Sequence, residues 1–410
     1  MEIVYTLGIH LYYIFIHLAA LFNSKARLWV DGRKHIFGRL ATEIRREQKL
    51  VWVHCASLGE FEQARPVIEA MKSEYPTTQI LLTFFSPSGY EIRKNYELAD
   101  YIYYLPADMP AQVNRFLDLV QPDLVLFIKY EFWYHYLKSI QQRKIPCYLV
   151  SAIFHQQQPF FNPIYGRFFR TILPCFDRIF VQNEASAHLL QRIGIQHFEI
   201  TGDTRIDRVL TIAKQAKKLS KVAAFKSNRP VLVGGSTWTP DEAILIPHIN
   251  NHPDEWKYII APHDISESHL QQIEQHLQVP HQRYSQFRAN GSTKVLIIDN
   301  IGLLSTIYQY GTIAYIGGGF GAGIHNTLEP IAFGLPVLFG PKYKKFEEAL
   351  QLLRRGGAFV VNQPTDFKQN FDALQVTTTY QQASQAAKAY IVENEGASKR
   401  IMDYFKLVDI

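Results

Sequence analysis

Cysteine is scarce in this chain: Cys55, Cys147 and Cys175 are an odd number, far apart, with no Cys-x-x-Cys among them. That excludes a disulfide framework and a zinc knuckle, and fits a reducing cytosol. The fifteen histidines include no His-Glu-x-x-His, so each reads as an ordinary polar residue rather than a metal ligand. Excess charge is also small. Lys and Arg number 43 against 37 Asp and Glu, a formal net charge of +6, and only Lys214 to Lys221 approaches a basic block. Nucleic acid is therefore not required, and a basic skin beside an anionic membrane explains the balance as well. Disorder is excluded by a composition that is 47% hydrophobic and 20% charged. A chain of 410 residues then suggests two ordinary domains, each with its own core.

One stretch has no charge at all. Ile3 to Phe22 runs without Asp, Glu, Lys or Arg, and about 20 apolar residues are what a bilayer crossing needs. Lys25, Arg27, Arg33, Lys34 and Arg39 follow, a bias that would keep the rest of the chain cytoplasmic. The Met1-Glu2 start and the lack of a cleavage site argue against a secretory signal. The expectation is a membrane anchor over residues 1–24, spanning or interfacial, with the body at the inner face.

The densest signal lies late. Ile313 to Ile316 is an apolar run, Gly317, Gly318, Gly319, Gly321 and Gly323 crowd the turn after it, and Val337 to Phe339 is a second apolar run. Between them, Asn326-Thr327 opens a short helical stretch closed by Gly334, so the order reads strand, loop, helix, strand. Glycines let backbone approach a ligand, and N–H groups at a helix start favour an anion, so the segment suits a phosphate. Asn326 with Glu329 also fits a capping pair that needs no ligand. Gly317-x-Gly319-x-x-Ala322 resembles a dinucleotide fingerprint, but no acidic residue follows between Pro330 and Phe346, which disfavours hydride transfer.

Upstream, Val51 to Ala56 reads as a strand, Ser57-Leu58-Gly59 as a turn and Glu60 to Met71 as an amphipathic helix. Glu60 at a strand's carboxyl end could act as a general base, and Ser57-x-x-Glu60 could equally be a capping box. Further β-type runs at Ile80 to Phe85, Tyr101 to Leu105, Leu124 to Ile128, Cys147 to Ser151 and Arg178 to Val181 alternate with helical stretches, which predicts a doubly wound α/β sheet. The aromatic segment Ile153 to Phe169 suits either an acceptor or membrane-facing surface or core packing. A lysine-rich helix near Asp207 to Phe225 marks a boundary, after which strands at Val231 to Val233, Tyr258 to Ala261 and Val295 to Ile298 restart the alternation. Gly235-Ser236-Thr237 offers a second phosphate contact or an N-cap. The expected layout is an anchor at 1–24, an acceptor domain at 25–207, a linker helix at 208–228, a nucleotide-binding domain at 229–385 and a C-terminal helix at 386–410.

Taken together, these residues resemble a known family. Leu28-Trp29-Val30-Asp31-Gly32-Arg33-Lys34, His54-Cys55-Ala56-Ser57-Leu58-Gly59-Glu60, Glu131-Phe132-Trp133, Thr201-Gly202-Asp203-Thr204-Arg205-Ile206-Asp207, Gly235-Ser236-Thr237, Ile301-Gly302-Leu303-Leu304 and His325-Asn326-Thr327-Leu328-Glu329-Pro330 are similar to motifs of the Kdo (3-deoxy-D-manno-oct-2-ulosonic acid) transferases of lipid A assembly. The resemblance implies a GT-B glycosyltransferase fold, two Rossmann-like domains facing a central cleft. It implies transfer of Kdo from CMP-Kdo to a lipid A disaccharide precursor at the inner membrane, with inversion. Glu60 would be the base, and Glu131 with Arg205 would stabilise the transition state. The nucleotide would meet Pro262, His263, Ile301, Gly302, Leu303, Asn326, Thr327, Leu328 and Glu329, with Glu329 near the ribose. Ser236, Thr237, Gly318 and Gly319 complete the expected nucleotide site. The chain departs from the family pattern at Lys129, where a second carboxylate is usual, at Ala261-Pro262-His263, which lacks an arginine, and at Arg205, where lysine is common. No Asp-x-Asp is present, so a metal-free and cofactor-free mechanism is expected. A sugar-nucleotide epimerase and a nucleotide-regulated membrane adaptor are the competing readings.

Overall fold

The apolar runs become two all-parallel sheets of seven strands each in a computed structural model that describes residues 1–252, 255–289 and 291–408. The chain divides into two compact units, Met1–Arg208 with Glu395–Ile410, and Val209–Asn394. In the first unit the strands are β1 (Leu50–Cys55), β2 (Gln79–Phe84), β3 (Tyr101–Tyr104), β4 (Leu124–Ile128), β5 (Cys147–Ala152), β6 (Arg178–Val181) and β7 (Phe198–Ile200), in the order 3-2-1-4-5-6-7. Every residue of β1, β4 and β5 is buried, as expected of parallel strands covered on both faces. The order reverses between β1 and β4, and the carboxyl ends of those strands flank the crevice where open sheets bind ligands.

The second unit repeats the plan. Its strands are β8 (Val231–Thr237), β9 (Lys257–Pro262), β10 (His281–Arg283), β11 (Val295–Ile297), β12 (Ile313–Ile316), β13 (Val337–Phe339) and β14 (Ala358–Val360), ordered 10-11-9-8-12-13-14. Here the reversal falls between β8 and β12. Short strands β7, β10 and β14 were not anticipated, because three-residue edge strands carry too little pattern to read.

Two expected helices are each broken in two. The linker helix expected over 208–228 is a helix Thr204–Lys214 and a helix Ser220–Lys226. Lys214, Lys217, Lys218 and Lys221 recur at helical spacing, so an unbroken helix would stack like charges on one face. Gln309 donates to the Lys217 carbonyl at 3.0 Å, and the Tyr310 hydroxyl accepts from the Leu219 N–H at 2.6 Å, which satisfies the backbone in the gap. The helix expected over 386–410 is Thr377–Asn394 followed by Ala397–Leu407, with Gly396 at φ 88° between them.

The N-terminal helix, Glu2–Ala19, has no buried residue and is long and apolar enough to cross a membrane. It nevertheless touches the first unit along one side. The Tyr5 hydroxyl donates to Asp108 at 2.6 Å, Thr6 pairs with His135 at 2.9 Å, and the Tyr12 and Tyr13 rings meet Trp29 edge-on. In the aromatic segment, Phe154 and Phe160 are buried and Phe161, Phe168 and Phe169 pack against the same core, while Ile164 and Tyr165 are exposed.

Candidate functional site

At the first reversal, two loops present carboxylates. The helix Leu58–Glu74 starts directly after β1, placing Glu60 in its first turn, and Glu131 follows β4. Both are nearly buried, at 4% and 7% exposure. The capping box does not form: the Ser57 hydroxyl donates to the Glu60 carboxylate instead of accepting from its backbone. The Tyr130 hydroxyl also bonds Glu60. Burial, then the Glu60 charge, pushes Tyr130 up to about 12, so it stays a donor. Buried Cys55 is held well above its usual value by burial first and then by Glu60 and Glu131, which places both charges around one thiol. Lys129, just before this loop, adopts φ 68° and lays its ammonium 4.9 Å over the Tyr130 ring. Backbone strain at a strand's carboxyl end is typical of residues that aim a functional loop.

Glu131 is held by its neighbours. Its Oε2 accepts from Trp133 Nε1 at 2.8 Å and lies 3.4 Å from His54 Nε2. His54 is fully buried and was not singled out from sequence. Arg205, also expected here, has its guanidinium on Asp203, with Nε at 2.8 Å and Nη2 at 2.6 Å from Oδ2. Burial works to raise the Asp203 carboxyl, but Arg205 and its bonds hold it below its usual value. The arginine is thus half of an ion pair made by its own turn.

At the second reversal, a cavity of about 250 Å³ is lined by Gly235, Ser236, Gly302, Leu304, Ser305, Tyr308, Ile316, His325, Asn326 and Glu329. It gathers four expected residues: Ser236, Gly302, Asn326 and Glu329. Asn326 accepts from the Leu328 N–H at 3.0 Å and donates to Glu329 at 3.1 Å, so the pair braces its own turn while facing the cavity. A larger cavity, about 620 Å³, lies at the amino end of the same sheet, against Arg229, Lys257 and Lys294. Ligands of open sheets bind at the carboxyl end, and Lys257 and Lys294 there already donate to the Thr293 and His252 carbonyls.

Other expected residues lie away from the cavity lining. Gly318 donates its N–H to Asp241 at 2.9 Å, and a Cβ on Gly319 would sit 2.6 Å from the Gly340 backbone. At both positions the glycine lets chain approach chain. The helix that was to offer its start to a phosphate is only Leu328–Ala332. Thr237 is buried and donates to Glu242 at 3.0 Å, and Leu328 is a fully buried core residue. Thr327 is buried with an unpartnered hydroxyl, Pro262 ends β9, Leu303 caps a short helix, and Ile301 is 87% exposed.

His263 lies in a ring stack that sequence reading missed, between Trp238 at 4.6 Å and His325 at 4.6 Å. Trp238 Nε1 donates to His325 Nε2 at 3.0 Å. Burial, then the neighbouring His263, pushes His325 down to about 4, so it is neutral and carries its proton on Nδ1. Trp238 after Gly235-Ser236-Thr237 and His325 before Asn326 were the available signals.

The profile described as 3-deoxy-D-manno-octulosonic-acid transferase (kdotransferase) matches residues 32–208, the segment that carries Glu60, Glu131 and Arg205. Residues 32–208 form a Kdo-transferase domain. The likeness continues beyond it. The 3-deoxy-D-manno-octulosonic acid transferase of Haemophilus influenzae is 26% identical over 379 residues, 87% of this chain and 86% of that protein. That of Aquifex aeolicus is 28% identical over 323 residues, 77% and 83% of the two chains. Among solved structures, UDP-GlcNAc 2-epimerase from Neisseria meningitidis bound to UDP-GlcNAc matches with a TM-score of 0.62 over 87% of this chain and 99% of that one. At 16% identity that match speaks for the GT-B fold alone. The resemblance read from the motifs is matched by these comparisons: the chain is similar to Kdo transferases over most of its length, on a GT-B fold.

Proposed function

We propose that this enzyme transfers Kdo from CMP-Kdo to a hydroxyl of a lipid A disaccharide precursor, at the cytoplasmic face of the inner membrane. Glu60 takes the proton from the acceptor hydroxyl as its oxygen bonds to the anomeric carbon. The bond from that carbon to the phosphate oxygen breaks, and CMP leaves with the electron pair. Attack opposite the leaving group inverts the anomeric centre, and the reaction needs neither a metal ion nor a cofactor. Glu131, with one oxygen clamped, stabilises positive charge developing on the sugar, and Arg205 supports it from its pair with Asp203. The nucleotide occupies the cavity of the second unit, with Glu329 near the ribose and Ser236, Gly302, Asn326 and neutral His325 around it.

The observation that carries this reading is Glu60: a nearly buried carboxylate at a sheet's reversal point, held by Ser57 and Tyr130 instead of capping its helix. Mass spectrometry of a tetraacylated lipid A precursor incubated with CMP-Kdo tests it, beside a Glu60→Gln control. Addition of one or more Kdo masses by the unmodified protein, and a loss of at least about 100-fold in the control, is expected. No addition by folded protein with intact CMP-Kdo would overturn the reading. Turnover of a sugar nucleotide without any acceptor would redirect it to an epimerase.

A further inference from the structure

The turn Tyr308–Tyr310 follows the short helix Leu304–Ile307, leads toward β12, and carries two tyrosines into the interior of the second unit. Tyr310 uses its hydroxyl on the Leu219 N–H. Tyr308 does not. It is buried to 1% exposure and lines the cavity with Glu329, yet its hydroxyl has no hydrogen-bond partner among the described residues. Gly235, at the end of β8, makes the room for it, because a Cβ there would collide with the Tyr308 hydroxyl. A buried hydroxyl without a partner costs stability, so one set in a cavity wall suits a ligand that completes the bond.

The chemistry of the neighbouring group narrows that ligand. Burial, then the charge of Glu329, holds the Tyr308 phenol well above its usual range, so it stays protonated and can donate. The carboxylate beside it only accepts, and Asn326 fixes its Oε1 at 3.1 Å. A donor and an acceptor next to each other fit a ligand that offers an acceptor and a donor on adjacent atoms. A phosphate offers acceptors alone and would be set against the Glu329 charge. A vicinal diol offers both: one hydroxyl donates to the carboxylate, and its neighbour accepts from the tyrosine.

We propose that Tyr308 is a nucleotide-binding residue whose hydroxyl donates to one ribose hydroxyl of the donor nucleotide, while Glu329 accepts from the other. This rests on the reading of the cavity as the CMP site. The two side chains together select a ribonucleotide over a deoxyribonucleotide.

Titration calorimetry of the full chain with CMP, 2′-deoxy-CMP and 3′-deoxy-CMP tests this, in the unmodified protein and in Tyr308→Phe, with thermal melts of both. The unmodified protein should bind CMP at least about fivefold more tightly than either deoxynucleotide. Tyr308→Phe, which removes one oxygen and keeps the ring, should weaken CMP by about fivefold. It should leave unchanged the affinity for the deoxynucleotide that lacks the tyrosine's acceptor. Equal CMP affinity in the two proteins, or equal losses for all three nucleotides, would overturn the proposal. So would equal binding of CMP and both deoxynucleotides by the unmodified protein, a result that decides the matter even if Tyr308→Phe does not fold. If the unmodified protein binds no CMP, it is the nucleotide-site reading that fails.

Discussion

Two glycines of one loop separate a packing role from a binding role. At Gly319 an added Cβ would lie 2.6 Å from Gly340, whereas at Gly321 the nearest atom is 3.5 Å away. Gly319→Ala should therefore cost about 1–3 kcal/mol in urea unfolding and Gly321→Ala close to nothing. A ligand-contact role would instead show in CMP affinity at both positions with stability unchanged. A second residue-scale prediction concerns acid. His248 lies against Phe367 and Phe371 with His252 4.8 Å away, and burial followed by His252 pushes it down to about 4. Lys368 and Lys294 act in the same sense and Asp372 against it. The unfolded chain binds this proton below about pH 6.5 and the folded chain only near 4. Its contribution is thus complete above pH 6.5 and is lost as pH falls toward 4. Thermal melts across that window should fall less steeply in His248→Phe. Glu60 was legible because it follows an apolar run that announces a strand end, whereas Glu131 was reached only through its resemblance to a family motif. The contact of His54 with Thr83 was not legible, since it needs the register of β1 against β2, which no local pattern carries.

Elements were read well wherever a run was uniformly apolar. β4, β6, β12 and β13 have the expected limits, and β1 and β2 shift by one residue, because fully buried parallel strands have little besides apolar residues to offer. The N-terminal helix shows what length and hydropathy leave open. Tyr5, Thr6, Tyr12 and Tyr13 lie on one side, seven residues apart in pairs, and hold the first unit. Ile3, Leu7, Ile14, Phe15 and Leu18 are exposed. If this helix meets a membrane with those contacts kept, it would lie in the surface with its outer apolar face toward lipid. On that account, Phe15→Glu and Leu18→Glu should each weaken sedimentation with anionic vesicles by about tenfold. Alkaline carbonate should release the unmodified protein. Retention in the carbonate pellet would mean that the helix spans, with its contacts to Asp108 and His135 broken.

At the scale of the whole molecule, the chain leaves the first unit after Arg208 and re-enters it at Glu395, so its last helix completes a fold that the chain left nearly two hundred residues earlier. Ser398 to Leu407 is visibly amphipathic in sequence, but the surface it covers is set by distant residues. Ile401, Met402 and Phe405 are buried in the core that contains Tyr148 and Phe180, and Asp207 accepts from the Gly396 and Ser398 N–H groups at 2.6 Å each. Burying three such side chains is worth about 5–8 kcal/mol, as much as a domain's whole stability. A chain ending at Asn394 should therefore lose the cooperative unfolding of its first unit. The second unit, Val209–Asn394, keeps all seven of its strands and should still bind CMP in calorimetry. Asp207→Ala, which leaves the apolar contacts and removes only the acceptor at the helix start, should cost about 1–2 kcal/mol. If the truncated chain unfolds in one transition and binds no CMP, the two units depend on each other for folding, and the crossing at residue 208 joins parts of a single cooperative body.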